Sequence, residues 1–251
     1  SKIVRLMAYE VEHLSGDFEL IDHDELRWLA LDELDGVEWA PADIPLVEHY
    51  QAMAVTAAYY QDNAQAYCQE TMAFDVGELY KPFLDVLPQG AHILDLGCGS
   101  GRDSKAFLER GYSVTAVDGS AEIATYAERA IGQPVAVTIF QTLAYSNVFD
   151  GAWASASLLH CPRAQIHDVL SRIVLALKVD GIAYLSFKWG EGETVDDRGR
   201  YFNNYTLASL QALIDEVREF SVIKLWAETK PLRDGEQQWA NALVKKMNAT
   251  L

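Results

Sequence analysis

The sequence predicts an α/β fold, a mostly parallel sheet of seven strands with helices on both faces and a closing C-terminal antiparallel hairpin. Three observations predict it. An apolar run, Ile93-Leu94-Asp95-Leu96, meets glycines at alternate positions, Gly97, Gly99 and Gly101. After a helix-like stretch a second run, Val114-Thr115-Ala116-Val117, ends on Asp118, which completes strand, tight turn, helix, strand and acid. Strand-like and helix-like stretches then alternate, as in βαβ units, until two last strand-like runs, 222–226 and 239–246, read as a hairpin.

The chain has 251 residues, half of them apolar, enough for one well-cored domain and an appendage. A net charge of -17 argues against nucleic acid or an anionic membrane as partner, since both attract a basic face. Three widely spaced cysteines, Cys68, Cys98 and Cys161, suggest no disulfide framework. No 18-residue apolar run and no signal peptide are visible, so the expected location is cytoplasmic. No cluster of metal-ligand spacing appears, and the oligomeric state is left open.

Residues 1–50 hold 13 acidic and 3 basic side chains, so -10 of the charge lies in one fifth of the chain. This shift places a boundary near 45–55. Val4 to Val11 reads as a strand, Ser15-Gly16-Asp17 as a turn, Phe18-Glu19-Leu20 as a returning strand and Asp32-Glu33-Leu34 as the start of a short helix, with Pro41 and Pro45 at the exit. One hairpin makes a poor core of its own. The words His23-Asp24-Glu25-Leu26-Arg27-Trp28-Leu29, Leu34 and Trp39-Ala40-Pro41-Ala42-Asp43-Ile44-Pro45 resemble the C-terminal end of a MutT-type Nudix hydrolase. The glutamate-rich box that holds magnesium in that family is absent from this chain. The resemblance therefore implies a remnant kept as a cap over 1–46, or a part of a larger two-domain protein, and no hydrolase activity. His23 reads as one of a solvated acidic segment rather than a metal ligand.

Residues 47–90 read as N-terminal helices. Val47, Met53, Ala54, Ala57, Ala58, Ala64 and Tyr67 give a partial helical pattern with a break near Asp62-Asn63, and Phe74 to Leu87 gives a second helix. Tyr59, Tyr60 and Tyr67 present aromatic faces that attract a cation, or else line a helix–helix contact.

Residues 91–251 form the sheet domain. The glycines let the backbone turn sharply and approach a ligand closely. A nicotinamide site prefers G-x-G-x-x-G beside a pyrophosphate. Here the third glycine comes one residue early, and Asp95 would repel a phosphate but attract a cationic ligand. S-adenosylmethionine carries an ammonium, a sulfonium and a ribose, and no phosphate. The stretch Asp95, Gly97, Gly99, Gly101 with Asp118 resembles the first motif of the class I S-adenosylmethionine-dependent methyltransferases, and the likeness covers about residues 55–251. It implies a Rossmann-like sheet and a methionine moiety over Gly97, Cys98, Gly99 and Gly101. It also implies a ribose on Asp118, Gly119 and Ser120, with Ile123 packed against adenine, and leading helices with Tyr60 and Tyr67 over the cofactor mouth. Arg102 comes within reach of the cofactor carboxylate, or pairs with Asp103 or solvent.

Arg102 to Arg110 and Ser120 to Ile131 read as helices, Ser120 as an N-cap. Val135 to Phe140 reads as a buried parallel strand. Gln141 and Thr142 follow it, where the family often has an acid for the adenine amine; Gln141 offers an amide oxygen instead. Asp150 to Ala156 is the fourth strand, with Ser155 at its end as a cofactor contact. His160 lies just beyond, where an imidazole of near-neutral pKa suits a base, or is a satisfied loop histidine. Arg163 to Leu177 is a helix, 178–181 a turn and Ile182 to Phe187 the fifth strand. Residues 188–202 read as a long polar loop that sets Lys188, Trp189, Arg198 and Arg200 to bind an anionic acceptor, or pairs its cations with Glu191, Glu193, Asp196 and Asp197. This loop is similar to that of small-molecule methyltransferases related to the tellurite-resistance group. Thr206 to Val217 is a Thr-capped helix. The expected activity is methyl transfer to a small molecule, with S-adenosylmethionine as donor and S-adenosylhomocysteine as product. A non-catalytic binding module and an NAD-dependent oxidoreductase are the rival readings.

Overall fold

The computed structural model describes residues 13–21, 24–74, 76–232 and 235–248. The chain divides into two compact units, Ser1–Ala54 and Val55–Leu251. In the first, the short helix expected at Asp32 is a 3-10 helix, Leu31–Gly36, where Glu33 accepts the Ala30 N–H at 2.7 Å. The expected turn is marked by Gly16, whose φ is +97°. The strand expected at 4–11 and His23 lie outside the described residues, and Phe18-Glu19-Leu20 is not in a strand.

Helix α1 (Ile44–Asp62) is rich in alanine and starts with Pro45 in its first turn, where a missing N–H costs nothing. It stops where expected. The Asn63 amide donates to the Tyr59 carbonyl at 2.8 Å, and α2 (Ala64–Met72) begins at once. Helix α3 (Gly77–Leu84) is shorter than the run from 74 to 87 suggested, and it buries Tyr80 and Phe83.

Strand β1 (His92–Leu96) leads through the glycine turn to α4 (Arg102–Glu109) and β2 (Ser113–Asp118). Helix α5 (Ala121–Ile131) follows, capped by the Ser120 hydroxyl, which accepts the Ile123 N–H at 3.3 Å. Then come β3 (Val135–Val137), β4 (Phe149–Ala154), α6 (Ile166–Ala176) and β5 (Leu177–Lys188). After a two-stranded ribbon, β6 (Gly192–Val195) and β7 (Tyr201–Asn204), the chain ends in α7 (Leu207–Asp215), β8 (Phe220–Leu232) and β9 (Gly235–Lys246).

The main sheet has seven strands in the order β3-β2-β1-β4-β5-β9-β8. Strands β1 to β5 run parallel, with Ile93 opposite Val114 on one side and Gly151 on the other, and β9 and β8 close the sheet antiparallel. This is the expected Rossmann-like architecture. Three elements differ from expectation. Strand β3 has three residues, not six, and Val137 is 57% exposed, because an edge strand has a neighbour on one side alone. The turn at 178–181 is an irregularity inside β5: pairing with β4 jumps from Phe149–Leu177 to Gly151–Ile182. The closing strands run to Leu232 and from Gly235, so the hairpin is longer than 222–246 implied.

The core lies on both faces of this sheet. On one face Trp153 stacks on Tyr184 with centroids 4.1 Å apart, meets Phe107 edge-on and packs at a tilt against Phe83. Truncating such a buried indole costs about 3–5 kcal/mol. Gly151 leaves room for this layer, since a Cβ there would stand 2.7 Å from Phe83. The strand order reverses between β1 and β4, and ligands of open α/β sheets bind beyond the carboxyl ends at such a point.

Candidate active site

The glycine turn and the end of β4 face each other across that point. Gly97, Gly99 and Gly101 have φ of +69°, +55° and +77°, which glycine adopts without strain. A Cβ on Gly97 would stand 2.7 Å from Ser157 Cβ, and one on Gly101 2.9 Å from Ile131 Cγ2. The turn is fastened by its own acid: Gly99 N–H donates to Asp118 Oδ2 and Ser120 N–H to Asp118 Oδ1, each at 3.0 Å. Burial raises the Asp118 pKa, and the N–H groups of Ser120, Gly99 and Gly119 oppose that rise. Ser157 was missed in the sequence. Its hydroxyl is buried beside Gly97 with no hydrogen-bond partner among the described residues. A buried hydroxyl without a partner costs about 1–3 kcal/mol, which a polar ligand would relieve. Its signal in the sequence is faint, a second serine two residues after Ser155.

Asp95 is buried at 2% exposure and accepts the Ser104 hydroxyl at 2.6 Å. Burial, then the nearby Asp103 charge, lifts its pKa to about 7. Arg102 resolves to the pair with Asp103, Nε to Oδ1 at 2.6 Å, and its Nη1 donates to the Thr71 carbonyl at 3.4 Å. Asp103 also accepts Tyr80 Oη and Trp153 Nε1, both at 2.8 Å, so this carboxylate joins α3, α4 and β4. Cys98 is buried, and burial pushes its thiol pKa well up.

The other expected cofactor residues make contacts within the protein. Ile123 is buried against Ala64 and Cys68 of α2. The Gln141 amide donates to Gln165 at 2.7 Å, and Thr142 is exposed and bonded to Thr138 at 3.0 Å. Gly119 sits with its α-carbon face toward Ile139, and Ser155 is half-buried past β4. The Ser120 hydroxyl donates to Gln61 of α1 at 2.9 Å, a contact the sequence did not suggest.

A row of rings runs away from the turn. Tyr67 Oη lies 3.6 Å from where a Gly99 Cβ would be. Tyr67 meets Tyr60 edge-on at 5.1 Å, Tyr60 meets His160 at 5.1 Å, and His160 meets Phe202 at 4.9 Å. The Lys188 ammonium caps the row, 3.4 Å from the Phe202 centroid. His160 Nδ1 bonds the Tyr201 carbonyl at 2.8 Å and Nε2 bonds Tyr60 Oη at 2.7 Å. The expected near-neutral imidazole is corrected here. Burial, aided by Arg200 and Lys188, lowers its pKa to about 4. Burial likewise raises Tyr60 to about 12, with Arg200 acting against it.

The expected loop at 188–202 is a β-ribbon, and Asp196 explains why. Its Oδ1 accepts the N–H groups of Arg198 and Arg200 at 3.0 and 2.9 Å, the turn chemistry of an aspartate with a glycine (Gly199, φ +76°) three residues on. Asp196 also takes the Arg200 guanidinium through Oδ2 at 3.0 and 2.7 Å. Arg200 therefore enters the site already paired, its plane over Tyr59 and Phe202. Arg198 donates to Tyr59 Oη at 2.9 Å from an exposed position. Lys188 has no ion pair among the described residues, and burial with the Arg200 charge lowers its pKa. Trp189 stands apart: its N–H bonds the Gln238 carbonyl and it pairs with Tyr205.

Residues 93–181 match the family profile described as a methyltransferase domain. The fold is that of the class I methyltransferases. A solved 1,6-didemethyltoxoflavin-N1-methyltransferase of Burkholderia thailandensis, with its acceptor and S-adenosylhomocysteine bound, superposes with a TM-score of 0.62 at 23% identity, over 84% of this chain and 92% of that one. A S-adenosylmethionine-dependent methyltransferase of Methanosarcina mazei gives 0.61 at 21% identity, over 67% and 98%. The malonyl-[acyl-carrier protein] O-methyltransferase of Salmonella typhimurium is 31% identical over 96 residues, so the match spans 38% of this chain and 38% of that relative. The matched residues 93–181 take in the glycine turn and strands β1 to β4. No helix among the described residues is long and apolar enough to cross a membrane.

Proposed function

We propose that the protein transfers a methyl group from S-adenosylmethionine to a small, anionic acceptor. The observation that carries this reading is the continuous row Gly99, Tyr67, Tyr60, His160, Phe202 and Lys188, which joins a cofactor-type glycine turn to an ammonium without an ion pair among the described residues. The residues fit the cofactor. A Cβ would fill the space that Gly97 leaves, the Ser157 hydroxyl lacks a partner among the described residues, and Asp118 presents a buried carboxylate for ribose hydroxyls. When bound, the cofactor supplies an activated methyl that leaves by direct displacement. The protein's part is alignment in a dry space. Tyr67 and Tyr60 supply electron-rich faces for the sulfonium.

On the acceptor side Lys188 attracts the anion, and Arg200, held by Asp196, fixes the orientation of the ring beside it. The relative solved with 1,6-didemethyltoxoflavin bound supports a small molecule. The net charge of -17 supports the same choice over nucleic acid. Residues 1–46 are read as carrying no hydrolase chemistry. The test is methyl transfer from tritium-labelled S-adenosylmethionine to a panel of small hydroxy- and amino-carboxylic acids. Labelled product is expected from at least one member. Absence of any transfer by protein that binds S-adenosylhomocysteine would favour a non-catalytic binding module.

A further inference from the structure

Three hydrogen bonds and one turn of α1 close a ring around the acceptor side. Thr56 Oγ1 accepts the Tyr201 N–H at 2.8 Å. The Tyr201 carbonyl meets His160 Nδ1 at 2.8 Å, and His160 Nε2 meets Tyr60 Oη at 2.7 Å. Thr56 and Tyr60 are four residues apart on α1 and so share one face. The direction of each bond follows from chemistry. A carbonyl only accepts, so Nδ1 carries the hydrogen, and a neutral imidazole then offers a lone pair at Nε2. Tyr60 must donate its O–H to that lone pair. Its oxygen keeps two lone pairs, with the Arg200 guanidinium nearby to favour negative charge on it.

Resting on the methyltransferase reading above, we propose that Tyr60 is the catalytic residue that takes the acceptor's proton, and that His160 is the positioning residue that takes Tyr60's own. In the step, the acceptor's O–H or N–H bond breaks and its hydrogen bonds to Tyr60 Oη. The hydrogen formerly on Tyr60 moves to His160 Nε2. The methyl carbon bonds to the acceptor atom as its bond to sulfur breaks, and that bonding pair stays on sulfur. The positive charge lost from the sulfonium reappears on the imidazolium. With a pKa of about 4, this imidazolium is acidic enough to return its proton to water. The ribbon's role follows: β7 supplies the carbonyl that fixes the tautomer, and Asp196 supplies the turn that holds β7.

The experiment is nitrogen-15 NMR of histidine-labelled protein saturated with S-adenosylhomocysteine, joined to kinetics. His160 is expected to show hydrogen on Nδ1 and no titration between about pH 5.5 and 8, and Tyr60→Phe to shift its Nε2 signal. Hydrogen on Nε2, or titration near pH 6.5, would overturn the relay. With any acid of the panel that accepts label, Tyr60→Phe and His160→Gln should each lower kcat about 100-fold. The acceptor KM and S-adenosylhomocysteine affinity should hold within about threefold, and the double variant should be no slower than the slower single, as for groups acting as one unit. Full kcat in Tyr60→Phe, or additive losses, would overturn the relay and leave the methyltransferase reading standing. Bound S-adenosylhomocysteine with no acid methylated would overturn the carboxylate-acceptor reading, while the His160 spectra decide the relay separately.

Discussion

Asp95→Asn is the perturbation whose sign the structure fixes most firmly. The carboxyl is 2% exposed, accepts one bond from Ser104 and lies near the charges of Asp103 and Asp118. Its pKa rises from 3.8 to about 7, so the folded protein holds a proton that the unfolded chain releases. Stability from this group is complete below pH 4 and falls as pH rises, until the folded carboxyl ionises near pH 7. At about 1.4 kcal/mol per pKa unit, the loss is on the order of 1–2 kcal/mol at pH 5 and about 4 kcal/mol at pH 8. Asparagine copies the shape, still accepts from Ser104 and never ionises. The variant should therefore gain on the parent as pH rises, by ~3 kcal/mol between pH 5 and 8. In a chain of this length that is a relative Tm gain of about 6–12 °C. Thermal melts of both proteins by circular dichroism at the two pH values give the comparison, since other carboxylates contribute equally to each. A Tm difference that does not change with pH, or an asparagine variant that loses ground at pH 8, would refute the reasoning. The same variant should bind S-adenosylhomocysteine less well at pH 8, because a negative charge near its ammonium is gone.

Further outcomes follow from the same geometry. Asp103→Ala leaves Tyr80, Trp153 and Arg102 without their common acceptor and should cost about 3–5 kcal/mol, read as a lower Tm. Gly97→Ala puts a methyl 2.7 Å from Ser157 Cβ on a left-handed backbone, and calorimetry should show S-adenosylhomocysteine affinity falling about tenfold or more. Lys188→Ala should raise the KM of an anionic acceptor with cofactor affinity unchanged; an unchanged KM would remove Lys188 from the acceptor site. Phosphate release from nucleoside diphosphate derivatives with magnesium should stay at background, and metal-dependent turnover by pure protein would contradict the reading of residues 1–46.

The elements that set the fold were legible because their signals are local. The spacing of Gly97, Gly99 and Gly101 and the acid at Asp118 mark a βαβ turn whatever packs around it, and Ser120 and Thr206 cap the helices they were expected to cap. Asn63 ends a helix with its own side chain. Less legible were features set by partners distant in the chain. Whether Arg102 faced the cofactor or Asp103 depended on where α3 and β4 placed Tyr80 and Trp153 around that carboxylate. Residues 188–202 looked like a loop because their polarity hid the alternation, and the aspartate-to-glycine turn at 196–199 was the overlooked sign of a ribbon. The His160 pKa depends on burial by α1 and β7, which spacing along the chain does not report. At Ile123 a motif position carries the expected family role, and its packing against Ala64 and Cys68 of α2 is a contact that spacing along the chain does not report.

Titration calorimetry on ligand-stripped protein, comparing S-adenosylhomocysteine with NAD, tests the central claim most directly. Saturable binding of S-adenosylhomocysteine at one site, weakened by Asp118→Ala and absent for NAD, is the predicted result. Tight binding of NAD with no heat from S-adenosylhomocysteine or S-adenosylmethionine would contradict it.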